Sequence, residues 1–327
     1  MMSQSKMRAI LVHEYGDSDV LKLEEVNRPN PSEGEVLVKI RYASVIPLDW
    51  KIRNGWVQNA FPMKLPYIPG FYASGIVESV GSGVHEFAVG DRVFGMIPGA
   101  YAEYGIASGI VNQTDEEYGS APQNGLVKMP DGLSFEDAAT IRAGAETAWK
   151  ALFSEGELKA GQTVLIHAAA GGVGQFAVQL AKWKGAHVIG TASTSNIDFV
   201  KSLGVDQVID YTRTAFEEVI KEVDLVVDAV GGETEIRSMS VLKKGGILVS
   251  LTRPPSQEMA LKHGITAKFN TQFPTYANLQ TIAQLIADGT IKAQIDSIFS
   301  LDQANKAHEK SETGHRRGRI LLSVNHF

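Results

Sequence analysis

The residues Ala170, Gly171, Gly172, Val173 and Gly174 lie within the stretch HAAAGGVGQFAVQLAKWKGAHVIGTAS, which runs from His167 to Ser193. The chemistry open to them is phosphate binding. An apolar strand, TVLIHA, precedes them, and a helix follows with Phe176, Val178, Leu180 and Ala181 along one stripe. Glycines in such a turn let backbone N–H groups approach a pyrophosphate at the positive helix N-terminus, and Gly174 permits close packing of helix on sheet. A purely structural glycine turn is the alternative, and the strand–turn–helix context favours a dinucleotide.

An NAD site usually carries an acid about 20 residues further on, for the ribose 2′-hydroxyl. Here the second strand ends in GTASTSN, Gly190 to Asn196, without an acid. The hydroxyls of Ser193, Thr194 and Ser195 suit a 2′-phosphate instead, so NADP(H) is the expected cofactor. That turn has no basic residue. The positive charge is sought at Tyr211 and its neighbour Arg213, and at Arg319 in the last strand, for which a solvated strand-edge position is the other reading.

Two lobes are expected to carry this site, since a chain of 327 residues that is 44% hydrophobic typically divides into about two domains. From Arg8 to about Lys128 the short alternating runs EVLVKIRYAS, ASGIVESVG and GDRVFGMI, separated by Gly and Pro, predict twisted antiparallel strands. VNQTDEEYGSAPQNG, between Ile110 and Leu126, predicts an exposed acidic loop, with contact to a partner as one use. Ser134, three residues before Asp137, is a candidate N-cap. After Gly161 strands and helices alternate, with ETEIRSMSVLKKG read as one helix and GILVSL as the strand after it. That order predicts a parallel sheet covered on both faces. A helix, TYANLQTIAQLIADGTI, and a strand, GRILLSV, close the chain, the strand returning to the first lobe.

Composition removes several functions. Cysteine is absent, which rules out disulfides, a thiolate nucleophile and cysteine-ligated zinc or iron–sulfur centres. The net charge of -6 is spread without long single-sign runs, giving no footprint for nucleic acid or an anionic membrane surface. No stretch approaches the ~18 uninterrupted apolar residues of a membrane span, and the N-terminus lacks a signal-peptide core, so a cytoplasmic protein is expected.

PYIPGFYASGIVESVGSGVHEFAVGDRVFG, GAYAEY, HAAAGGVGQFAVQLAK, FVKSLGVDQVIDY, VGGET and LKKGGILVSL, in this order over nearly the whole chain, resemble the medium-chain dehydrogenase/reductase superfamily. The resemblance is to its zinc-free quinone oxidoreductase and enone (alkenal) reductase branch. It implies an α/β fold in which a GroES-like, mainly β catalytic domain (1–144 with 271–327) accompanies a doubly wound Rossmann domain (145–270). Further cofactor contacts are implied at Val230, Ser250 and Leu251, and a homodimer through the Rossmann sheet edge, taken to be GILVSL. The positions matching the zinc ligands of metal-dependent relatives are Ile46, Phe71 and Ala143, all apolar, and the eight histidines show no metal-binding spacing.

The resemblance also names candidate catalytic residues. The branch often has Asn-Pro-x-Asp where this chain has SVIPLDWKIRNGW: Asp49 and Arg53 match, while the Asn position is Ile46. Asp49 either serves the site or pairs with Arg53 to hold the segment. Tyr72 replaces an acid of the relatives near the pocket, and Arg142 brings a cation where they have Leu-Pro; each is read as a donor to substrate or as a packed structural residue. Thr147 would support the nicotinamide amide or ribose. The implied reaction is hydride transfer from NADPH to a quinone or an α,β-unsaturated carbonyl, small substrates that delocalise the developing charge without a metal. The alternatives are an NADPH-binding sensor with little turnover, favoured by the loss at Ile46, and a zinc-free alcohol dehydrogenase.

Overall fold

The computed structural model describes residues 5–110, 125–271, 275–314 and 316–324. The acidic segment expected to be an exposed loop therefore lies almost entirely outside the described residues. In chain order the elements are β1 (Lys6–Val12), β2 (Leu21–Asn27), β3 (Glu35–Val45), α1 (Pro47–Arg53), β4 (Tyr72–Val80), β5 (Arg92–Met96), β6 (Tyr104–Ser108), β7 (Leu126–Lys128) and α2 (Phe135–Thr140). Next come α3 (Glu146–Trp149), β8 (Thr163–Ile166), α4 (Gly174–Trp183), β9 (His187–Ala192), α5 (Ile197–Ser202), β10 (Gln207–Asp210) and α6 (Phe216–Val219). The rest are β11 (Val223–Asp228), α7 (Glu233–Ser238), β12 (Leu242–Ser250), α8 (Gln257–His263), β13 (Thr266–Phe269), α9 (Tyr276–Ala287), β14 (Ile295–Ser300), α10 (Ala304–Glu312) and β15 (Arg319–Ser323).

Contacts divide the chain into two units, the first comprising 1–143, 275–288 and 295–327 and the second 144–274 and 289–294. Sequence alone leaves 289–294 with the first unit. They pack with the second because two amides one helical turn apart on α4 hold their backbone: Gln175 exchanges hydrogen bonds with Gln294 at 2.8 and 3.0 Å, and Gln179 with Lys292 at 2.8 and 2.9 Å.

In the first unit β14-β15-β3-β4-β5-β7 form one sheet, with β6 also paired to β3. All its pairings are antiparallel except β14 with β15. Val36, Val38, Ile40, Val77, Val93 and Ile320 fill its core. The last strand has returned to the first lobe, as its sequence predicts.

The second unit is a wholly parallel sheet in the order β10-β9-β8-β11-β12-β13. Its central strands TVLI and VDLVVD are buried almost without a break, the pattern of strands covered on both faces. Two expectations are corrected here. Helix α7 stops at Ser238 and LKKG begins β12, because Leu242 is buried opposite Val223 while a register shift and the positive φ of Gly245 (75°) push Lys243 and Lys244 outward. GILVSL is consequently not the sheet edge: β13 pairs beyond it.

Ser134 caps α2 as expected, accepting the Asp137 N–H at 3.0 Å. Beyond α2 the helix widens to a π turn over Ile141–Ala145, which contains Arg142. No helix among the described residues is long and apolar enough to cross a membrane.

Candidate functional site

In the second unit the chain leaves β8, turns through 167–173 and enters α4. Ala168 takes a left-handed conformation (φ 52°), and the turn closes with Gly171 N–H on Ala168 C=O at 2.9 Å. A Cβ at Gly174 would lie 2.2 Å from Ala168 O and 2.7 Å from Ala169 Cα, so helix and turn approach closely only with glycine there. Strand β8 has β9 on one side and β11 on the other, which is the topological switch point where ligands of doubly wound sheets bind.

The other candidate cofactor residues follow the carboxyl ends of neighbouring strands. Ser193, Thr194 and Ser195 follow β9, the exposed Tyr211 follows β10, the exposed Val230 follows β11, Ser250 ends β12 and Leu251 follows it. The turn carrying Val230 is held by Asp228, whose carboxylate accepts the N–H groups of Val230 at 2.9 Å and Gly231 at 3.1 Å. Thr147 is half-buried on α3, its carbonyl bonded by Asn270 at 3.2 Å.

One acid escapes a linear reading of the cofactor turn. Asp210 ends β10, in register with Ala192 on β9, and its carboxylate accepts the Thr194 hydroxyl at 2.6 Å. Hydrogen bonds from Thr194 and Thr212, with the Arg213 charge at 3.6 Å, hold it below the usual carboxylate range. The acid missing from GTASTSN thus arrives from the adjacent strand.

In the first unit, Pro47 opens α1 and Asp49 reaches back to the Ile46 N–H at 2.8 Å, the carboxylate half of a capping box. Asp49 and Arg53, one turn apart, are both buried. They do not pair with each other. Arg53 donates to Gly16 O (3.0 Å), Asn54 Oδ1 (2.8 Å), Glu312 Oε1 (2.7 Å) and His308 Nδ1 (3.3 Å), while Tyr101 stands 3.1 Å from His308 Nε2 and 3.0 Å from Asp49 Oδ2. Burial and the Arg53 charge push His308 down to about 3, so the ring is neutral. Burial pushes the Asp49 carboxyl up to about 7, against the Ile46 and Tyr101 hydrogen bonds and the Arg319 charge.

Beside Asp49 lies a cavity of about 430 Å³ lined by Ile52, Met63, Tyr67, Phe71 and Pro98 among others. Phe71 lines it and Tyr72, half-buried at the start of β4, does not. Ile46, itself buried, gives its backbone N–H to Asp49. Arg142 is buried in its π turn. Arg319 is corrected: it is no solvated cation for a ribose phosphate but is 3% exposed inside the first unit, bonded to Ser44 Oγ at 3.1 Å. Tyr67, Tyr101 and His308 were not read from sequence. The available signal was His308 one turn before Glu312, which gives α10 a polar face for Arg53 to bond.

Two family models match the chain: an alcohol dehydrogenase GroES-like domain over residues 32–131 and a zinc-binding dehydrogenase domain over 203–322. The chain is 34% identical to the chloroplastic quinone-oxidoreductase QR1 of Triphysaria versicolor, covering 98% of this chain and 99% of that protein. It is also 34% identical to 2-methylene-furan-3-one reductase of Solanum lycopersicum, covering 97% and 79%. Among solved structures, the quinone oxidoreductase from Coxiella burnetii superposes with a TM-score of 0.85 at 36% identity, over 98% of this chain and all (100%) of that one. A mycobacterial relative complexed with NADPH gives 0.82 at 29% identity, over 97% and 100%. With the parallel sheet, its glycine turn and the GroES-like sheet all in place, the chain belongs to the medium-chain dehydrogenase/reductase superfamily, in its quinone oxidoreductase branch.

Proposed function

We propose that the protein is an NADPH-dependent oxidoreductase that delivers hydride to a quinone or an α,β-unsaturated carbonyl without a metal. The observation that carries the acceptor class is the cavity beside Asp49: its walls are largely apolar, with one carboxyl and one phenol, which suits a flat, uncharged, conjugated molecule. The names of the relatives agree, a quinone in one case and a ring ketone bearing a conjugated methylene in the other.

The residues present fit a dinucleotide. Backbone N–H groups of Ala170 to Gly174 would hold the pyrophosphate, Ser193 to Ser195 and Tyr211 the 2′-phosphate end, and Val230, Ser250, Leu251 and Thr147 the nicotinamide half. When bound, the cofactor supplies the hydride. They do not fit zinc, despite the description of one family model. Ile46, Phe71 and Ala143 offer no donor atom, the chain has no cysteine, and among the described residues no cluster of His, Asp and Glu could hold a metal ion.

NADPH absorbance followed with duroquinone, an enone and a saturated ketone, each with and without chelator, tests this reading. Consumption with the first two, unchanged by chelator and absent with the ketone, is the expected result. Binding of NADPH without consumption by any acceptor would instead make the protein a sensor.

Asp210 sets a second expectation. A carboxylate bonded to Thr194 opposes a 2′-phosphate, and Arg213 only partly offsets it. Asp210→Asn should raise the preference for NADPH over NADH by about two- to fivefold, the size of an exposed charge interaction, read as the ratio of kcat/KM for the two cofactors. An unchanged ratio would remove Asp210 from the ribose site.

A further inference from the structure

Two glutamines one turn apart on α4 grip the backbone of 289–294 with both ends of their amides. Gln175 Oε1 accepts the Gln294 N–H at 2.8 Å, and its Nε2 donates to Gln294 C=O at 3.0 Å. Gln179 grips Lys292 at 2.8 and 2.9 Å and donates a further N–H to Gln175 C=O at 3.0 Å. Gln175 is wholly buried, at 0% exposure. A buried amide is costly unless it is paired, so these bonds hold the Gln175 side chain in one conformation.

The same residue closes the glycine turn. Gln175 N–H donates to Gly171 C=O at 3.1 Å. That carbonyl and the Gly172 N–H belong to one planar trans peptide, in which the two groups point in opposite directions. With the carbonyl drawn onto α4, the Gly172 N–H points off the N-terminus of the helix, the side on which a pyrophosphate is held. Gln175 therefore sets the direction of this donor, and Gln294 sets the position of Gln175. The other restraint on α4 is of a different kind: Phe176, Ala177, Val178, Leu180 and Ala181 are buried by apolar packing, which has no directional preference of its own.

We infer that Gln175 is a positioning residue for the cofactor: its amide clamp on Gln294 aims the Gly172 N–H at the pyrophosphate, so that a closed clamp tightens NADPH binding and bound NADPH tightens the clamp. The two effects are equal, because coupling between two equilibria is reciprocal. This rests on the dinucleotide occupying the glycine turn. Ile291, 1% exposed, anchors the gripped segment independently, so opening the clamp does not release it.

Hydrogen exchange at the Gln294 amide of the whole protein, with and without saturating NADPH, tests the inference. This N–H exchanges when its bond to Gln175 opens. NADPH should slow it about fivefold or more, the low end of the usual range of coupling. Gln175→Leu, similar in size and without donor or acceptor, should raise the NADPH dissociation constant by the same factor, since both numbers report one coupling. A merely structural glutamine would lower the unfolding temperature and leave the two factors unrelated. Gln179→Leu also strips hydrogen bonds from the segment, but its backbone does not reach the turn; it should cost comparable stability and weaken NADPH binding less.

Unchanged Gln294 exchange on NADPH binding, an unaltered dissociation constant in Gln175→Leu, or equal weakening in the two variants would overturn the inference. The exchange measurement uses only the wild-type chain and stands even where a variant fails to fold. Wild-type protein that binds no NADPH overturns the dinucleotide reading and the inference together, whereas NADPH binding with indifferent Gln294 exchange overturns the inference alone.

Discussion

Gly174→Ala should abolish measurable NADPH binding and destabilise the second unit. The new Cβ would sit 2.2 Å from Ala168 O, 2.7 Å from Ala169 Cα and 2.9 Å from Ala169 C. All three are backbone atoms, so no side chain can swing aside; helix α4 or the turn must shift. Overpacking of this kind costs roughly 1–3 kcal/mol. The shift also moves the N–H groups offered to the pyrophosphate, and a misplacement of about 1 Å can cost on the order of a hundredfold in a positioned site. Gly190→Ala is the milder comparison: its Cβ would meet Ala169 Cβ at 3.0 Å, and the neighbour needs to give by only a few tenths of an ångström, against the 2.2 Å backbone clash at Gly174. Titration of NADPH fluorescence and thermal unfolding with and without NADPH check both, and equal behaviour of the two variants would refute the argument.

Arg53→Met should strongly destabilise the first unit, by about 3–5 kcal/mol, the combined cost of buried acceptors left without a donor and of the volume vacated. Arg53 is fully buried (0% exposed) and donates to four groups. Glu312 is partly solvated, so its ion pair contributes little. Most of the loss comes from Gly16 O and His308 left without a donor, and from the vacated volume. Urea unfolding midpoints at neutral pH measure it.

Acid reads the same network in the wild type. His308 is lowered to about 3 when folded, from an ordinary value near 6.5. Its contribution is therefore present above about pH 6.5 and is lost as pH falls toward 3. Asp49 has the opposite sign: raised to about 7, it favours the fold below its unfolded value near 4 and loses that contribution as pH rises to 7.

What was legible in the sequence is what is local. The strand–glycine–helix turn at 166–174, the Ser134 cap and the alternation after Gly161 each depend on residues a few positions apart, where period and turn chemistry apply directly. Helix α7 was read too long because MSVLKKG has no Gly or Pro before Gly245; the break at Ser238 comes from burying Leu242 against β11. The Arg53–His308–Tyr101 hydrogen-bond network that reaches Asp49 was out of reach for another reason. Tyr101 lies 52 positions from Asp49, and His308 lies 207 from Tyr101. Nothing in the residues near Asp49 signals which helix or loop the sheet will bring to them. Asp210 was missed in the same way: two parallel strands place it beside Thr194, although the turn it serves contains no acid of its own.

The pairing of β15 with β3 also has a consequence for synthesis. The Ser44–Arg319 bond spans 275 positions, and Leu321 on the same strand pairs with Ser44. A ribosome therefore releases nearly the whole second unit, which apart from 289–294 is one continuous stretch, before the strand that completes the first unit exists. During that interval only the C-terminal end of β3, Tyr42–Val45, lacks a partner on the side that β6 already occupies at Glu35–Lys39, and the apolar residues around Ile320 and Leu322 in the core await them. The second unit can form while the chain is still growing, whereas the sheet of the first unit is completed only once β15 has been made.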